Sequence, residues 1–147
     1  MKLSLSIDIF CEPEKVFSWI DQPEKAMHWQ AGVKGGEIIK ETPQRIGTTF
    51  KEVMEENGKS LIMYGEITDY IPKKSISFRL ESRIHKVDVK YSVAGDSSNS
   101  IVTMDSLIIW KFPMNFICLF IGSIIKNKIF DQTKAEFAEL KRLCENC

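Results

Sequence analysis

Apolar residues recur at every second position through most of this chain, and the places where that period changes mark its helices. Leu3, Leu5, Ile7 and Ile9 alternate with Ser4, Ser6 and Asp8, the pattern of a strand with one buried face. Further strands are predicted at residues 37–41, 48–55, 60–71, 75–81, 86–93 and 100–112. Ile76, Phe78 and Leu80 oppose Ser77, Arg79 and Glu81, while Val87, Val89, Tyr91 and Val93 oppose Lys86, Asp88, Lys90 and Ser92. One side of the sheet is therefore dry and the other wet. The last run is less regular: Met104, Ile108, Trp110 and Phe112 share a face, but Leu107 and Ile109 lie opposite, so part of its outer side is expected to be covered. Asn57-Gly58, Pro72-Lys73 and the Gly95-Asp96-Ser97-Ser98-Asn99 stretch supply turns that make most of the sheet a meander.

Two short helices are predicted after the first strand. Pro13 and Pro23 each suit a first helical position, where the missing N–H costs no intrahelical bond. They open helices over 13–20, burying Val16, Phe17 and Ile20, and over 24–29, ending before Gly32. Beyond Pro113, residues 115–121 read as one or two helical turns, Gly122-Ser123 as a bend, and 124–145 as an amphipathic helix. Its stripe is Ile125, Ile129, Thr133, Phe137, Leu140 and Cys144; Lys126, Asp131, Lys134, Glu139 and Arg142 lie on the other face. At the standard rise it is about 33 Å long, enough to cross the sheet. The whole is an α+β chain: a curved seven-stranded antiparallel sheet, two short helices and a long C-terminal helix.

Composition narrows the partners. The 147 residues, 44% of them hydrophobic, suit one soluble domain over 1–147. Twenty basic residues balance twenty acidic ones, which offers no positive field for a phosphate backbone and argues against nucleic acid. The first residues are too regularly interrupted by polar side chains for a signal peptide, so a cytoplasmic location is expected. Cys11 and Cys118 are scattered, and Cys144 and Cys147 form a lone C-x-x-C pair without further ligands. No metal or cofactor is expected. Lys111, Pro113 and Asn115 break the longest apolar stretch, so no spanning helix is predicted. Phe116, Ile117, Leu119, Phe120 and Ile121 are expected to be buried against the fold, with transient membrane contact as the alternative use.

Taken together, the chain resembles the SRPBCC superfamily of START-like, helix-grip domains, and within it the polyketide cyclase/dehydrase and lipid transport branch. The residues carrying the resemblance are Pro13-Glu14-Lys15-Val16-Phe17, Trp29, Arg45-Ile46-Gly47-Thr48, Ile67-Thr68-Asp69-Tyr70-Ile71-Pro72 with Ile76-Ser77-Phe78, and Leu140-Lys141-Arg142-Leu143. These motifs specify fold rather than activity. The resemblance implies a hydrophobic cavity between the long helix and the concave sheet, which different members use for lipids, hormones, polyketides or protein partners. Gly35-Gly36 is only a pair, without the glycine-rich loop of the plant pathogenesis-related members, and the gate loops of hormone receptors are missing.

The residues expected around such a cavity are Trp29, Phe50, Trp110, Phe116 and Phe120 as an aromatic wall, with Met54, Met63, Phe78, Val89, Tyr91 and Ile125. Glu52 shares a face with Phe50 and Met54. Pointing inward, its carboxyl would have a raised pKa and could exchange a proton; on a bulge or at the rim it would stay wet. Asp105 and Glu66 are weaker cases of the same kind. His28, beside Trp29, is a second candidate base, against the plainer roles of a capping or solvent-facing histidine, and His85 is expected at an exposed turn. Tyr64, Tyr70 and Tyr91 are candidate hydroxyl donors or packing groups. Three functional readings follow: a binding protein for a small hydrophobic or lipid-like molecule, a cyclase, dehydratase or hydrolase acting on one, or a co-chaperone-like interaction module.

Overall fold

A computed structural model describes residues 1–56 and 58–146. Parts of two sequence-based readings, the Asn57 half of the Asn57-Gly58 turn and the Cys147 half of the C-x-x-C spacing, lie outside the described residues. Strand β1 (Lys2–Ile9) leads into helix α1 (Pro13–Ile20) and a 3₁₀ helix (Pro23–His28). Then come β2 (Val33–Lys40), β3 (Thr49–Glu56), β4 (Lys59–Ile71), β5 (Ser75–Glu81), β6 (His85–Gly95), β7 (Ser100–Trp110) and helix α2 (Met114–Glu145). The strands form one antiparallel sheet in the order β1-β7-β6-β5-β4-β3-β2. From β2 to β7 it is the expected meander, and β1 pairs beside β7 with Leu5 opposite Met104. The segment from α1 through the 3₁₀ helix therefore carries the chain from one sheet edge to the other.

The faces follow the alternation. Ile76, Leu80, Val87, Val89, Tyr91, Val93, Val102, Met104 and Ile108 are buried. On the outer side, Ser4 donates to Asp105 at 2.6 Å and Arg79 pairs with Asp88 at 2.8 Å. Pro13 opens α1, which buries Val16, Phe17 and Ile20. The second short helix is 3₁₀ rather than α, a form common in short connecting pieces. Trp29 at its end is anchored by donating from Nε1 to the Trp19 carbonyl at 3.0 Å.

Strand β2 starts four residues before the predicted position, at Val33, and takes in both Gly35 and Gly36. The glycines that discourage a strand prediction are what this one needs: a Cβ on Gly36 would lie 2.9 Å from the Pro23 carbonyl oxygen. The terminal helix is one stretch kinked at Ile121 (φ −124°, ψ 20°), next to the bend predicted at Gly122-Ser123. Its two halves differ. Phe137, Leu140 and Cys144 are buried, whereas Phe116, Ile117, Leu119, Phe120, Ile121 and Ile124 are exposed. The expected burial of the segment from 116 to 121 is thus overturned, because its apolar side chains point away from the sheet.

Candidate ligand-binding cavity

Between α2 and the concave face, the interior is filled at one end and open at the other. At the end covered by α1 and the 3₁₀ helix, aromatic rings interlock. Trp29 and Tyr91 meet edge to face at 5.9 Å, as do Phe50 and Phe78. Phe137 of α2 lies 6.3 Å from both Trp29 and Tyr91. The Phe50 ring lies flat on β4, where a Cβ at Gly65 would be 2.3 Å from it. What remains is a crevice of about 20 Å³ that also touches Glu52, room for about one water molecule.

The other end holds a cavity of about 890 Å³. Its sheet wall is Leu3, Met54, Leu61, Met63, Leu80, Val87, Met104 and Ile108, and α2 contributes Ile129, Gln132, Thr133 and Glu136. Exposed Glu55, Lys59, Arg83 and Lys128 surround its mouth. His85 also lines it, with Nδ1 2.7 Å from the Ser82 hydroxyl and its ring 5.2 Å from Trp110. Burial pushes the His85 imidazole down, toward the neutral form.

Glu52 lines the crevice together with Tyr91, and Glu136 lines the open cavity near enough for the charges of these groups to act on one another. Glu52 is 6% exposed and makes no side-chain hydrogen bond among the described residues, so the inward alternative holds. Burial pushes its carboxyl up to about 7. Burial, and then the charge of Glu52, push Glu136 up to about 8. The Tyr91 phenol is also pushed up, by burial and then by the two carboxylates. Near neutral pH the pair therefore holds at least one proton, which it can donate to a ligand oxygen or exchange.

The sequence-predicted site residues divide among these surroundings. Met54 and Met63 line the open cavity; Trp29, Phe50, Glu52, Phe78 and Tyr91 surround the crevice. Val89 is core. Trp110, Phe116, Phe120 and Ile125 line neither space: Trp110 stacks on His85, Ile125 is half-buried, and Phe116 and Phe120 face solvent. His28 is exposed, its ring against the edge of Trp19 at 5.9 Å, and lines neither space. Asp105, Glu66 and Tyr64 are exposed as well, and the Tyr70 hydroxyl donates to Asp21 at 3.1 Å. His85 is half-buried, not at an exposed turn, because the Ser82 hydroxyl and Trp110 draw the ring inward.

Sequence reading missed Glu136 and His85. Glu136 had a usable signal: it lies seven residues after Ile129 and three after Thr133, on the very stripe that buries α2. His85 had none, since its inward turn depends on the β5–β6 connection.

No family model matches the chain, and no curated protein is similar to it. Solved structures are. A START superfamily protein from Mycobacterium smegmatis superposes with a TM-score of 0.82 at 15% identity, over 99% of this chain and 97% of that one. The chain has the START-like helix-grip fold. The Zhui aromatase/cyclase from Streptomyces sp. R1128 matches with a TM-score of 0.73 at 10% identity, covering 97% and 95% of the two chains. Major latex-like protein 151 from Panax ginseng matches with a TM-score of 0.69 at 14% identity, covering 98% and 97%. The helix-grip expectation drawn from sequence is thus met in the order of elements, the antiparallel seven-stranded sheet and the long closing helix.

Proposed function

We propose that this protein binds a small hydrophobic or lipid-like molecule between α2 and the concave sheet. The observation that carries the reading is the cavity of about 890 Å³, within the range of small-molecule sites and lined mostly by aliphatic and methionine side chains. Displacing water from such walls contributes about 25 cal/mol per Å² of apolar surface. Methionines suit a ligand of irregular shape, because their unbranched side chains repack readily. The polar end of an amphipathic ligand would meet Glu136, which lines the cavity, with Glu52 and Tyr91 lying beyond it at the crevice. Native mass spectrometry of freshly purified protein tests this directly: a co-purifying adduct of lipid size is expected, and Ile129→Trp, which narrows the cavity, should lose it. A folded protein that takes up neither a native adduct nor an apolar fluorescent probe would remove the reading.

A second reading, a cyclase or dehydratase acting on such a ligand, is supported by the Glu52 and Glu136 pair. Two acids with raised pKa values beside an apolar cavity are suited to moving a proton at a bound carbonyl or hydroxyl. The Zhui protein, an aromatase/cyclase, is a chain of the same fold. Glu52→Gln and Glu136→Gln should then abolish turnover while leaving ligand uptake in place; unchanged turnover in both would exclude them as the acid and base. The open interior counts against the co-chaperone-like alternative, for which a filled core beside an apolar patch would be expected.

A further inference from the structure

We propose that the segment from Phe112 through the first half of α2 docks this protein on an anionic lipid surface. Phe116 and Phe120 lie one turn apart before the kink, Phe112 just ahead of the helix meets Phe116 edge to face at 5.7 Å, Leu119 lies beside them, and Ile124 continues the apolar run beyond the kink. These side chains face water: Phe112 is 75% exposed, Leu119 77% and Phe120 86%. A helix that covers a sheet ordinarily turns its apolar stripe inward. After the kink at Ile121, α2 does so, with Phe137 and Leu140 in the core; before it, the arrangement is reversed.

Charge selects the occupant. Residues 106–130 contain Lys111, Lys126 and Lys128 and no aspartate or glutamate, in a chain whose formal net charge is zero. Lys126 and Lys128 are exposed immediately beyond the apolar stripe, and around the cavity mouth Lys59, Arg83 and Lys128 outnumber Glu55, while Lys111 is paired with Glu81 at 2.9 Å. An apolar stripe bordered by cations matches the interface of a bilayer carrying anionic headgroups, where the side chains enter the acyl boundary and the lysines meet phosphate. No described helix is long and apolar enough to cross a membrane, so this is a face that lies on the surface. It also adjoins the mouth: the Lys111 N–H donates to the carbonyl of Ile84, a cavity-lining residue, at 2.8 Å. The docking face stands whether or not the cavity holds a ligand.

Vesicle flotation tests it, with phosphatidylcholine alone and with about 30% phosphatidylglycerol added. The protein should float with the anionic vesicles and bind the neutral ones about tenfold less well, and raised salt should weaken binding. Leu119→Ser/Phe120→Ser should cost at least about tenfold with both vesicle types, while Lys126→Glu/Lys128→Glu should remove the preference for anionic ones. All four side chains are exposed, so thermal midpoints should stay close to that of the parent. Failure to float with either vesicle, equal flotation of the parent and the apolar-patch variant, or indifference to lipid charge would each overturn the proposal. So would a concentration-dependent dimer that the apolar-patch variant abolishes, which would assign the face to a second copy.

Discussion

At the α1 end of the interior, five aromatic rings from several elements leave a crevice of about 20 Å³; at the other end, the same sheet and the same helix leave about 890 Å³. The apolar alternation is equally good at both ends, so hydrophobicity does not make the difference. Bulk and cover do. Trp29, Phe50, Phe78, Tyr91 and Phe137 fill space from both layers, and α1 with the 3₁₀ helix closes over them. At the open end the corresponding positions are Met54, Met63, Leu80, Val87 and Thr133, and only the stretch of α2 from Lys128 to Glu136 lies across them. One end thus supplies close packing, and the other gives up packing in favour of volume.

Removing a ring from the filled end should have the largest effect on stability. Phe137→Ala should cost about 3–5 kcal/mol in denaturant unfolding, whereas Met63→Ala at the cavity wall should cost about 2 kcal/mol, the low end for a buried methionine. Equal losses would mean that the two ends are packed alike, and the contrast would fail.

The buried acids should be visible in the pH dependence of stability. A carboxyl whose pKa is raised by folding holds a proton that the unfolded chain has already released, so stability falls as pH rises from about 4.5 to about 8 and is level beyond. Glu52 alone accounts for about 3 kcal/mol of that fall. His85, pushed down by burial, contributes an opposite slope below about pH 6.5. Glu52→Gln/Glu136→Gln isolates the carboxyl contribution, and unfolding curves at pH 5 and pH 8 should differ much less in that variant. A difference as large as the parent's would place the carboxyls in water.

Gly65→Ala tests the filled end more gently. The new methyl must displace the Phe50 ring, at about 1–3 kcal/mol, and crystallography of the variant should show that ring moved and the Glu52 crevice reshaped. His28→Ala should give the smallest effect, within about 0.5 kcal/mol in stability and with no change in ligand uptake; reduced uptake would move the site toward Trp19 and the 3₁₀ helix.

Much of the architecture is legible from short-range chemistry. Period-two alternation places residues such as Val87, Val89 and Tyr91 inside, Pro13 and Pro23 mark helix starts, and Gly122-Ser123 points to a break in α2 that occurs at Ile121. Each is a local rule in which the residue that gives the signal is also the one that responds. Strand β2 is harder to place because the need for Gly36 comes from the Pro23 carbonyl, which lies distant in sequence.

The site is only partly legible, for a related reason. Sequence alone determined which face of most strands turns inward: parity put Phe50 and Met54 on one face with Glu52, whose inward or wet position stayed open, and helical spacing could have added Glu136. Tertiary structure alone decided whether those inward residues touch one another or a void, because that depends on how far α2 stands from the sheet at each level. It also decided that Phe116 and Phe120 face water although their hydrophobicity suggests a core. Burial lowers free energy only where a partner surface is within reach, and before its kink α2 lies beyond the apolar face that its second half covers.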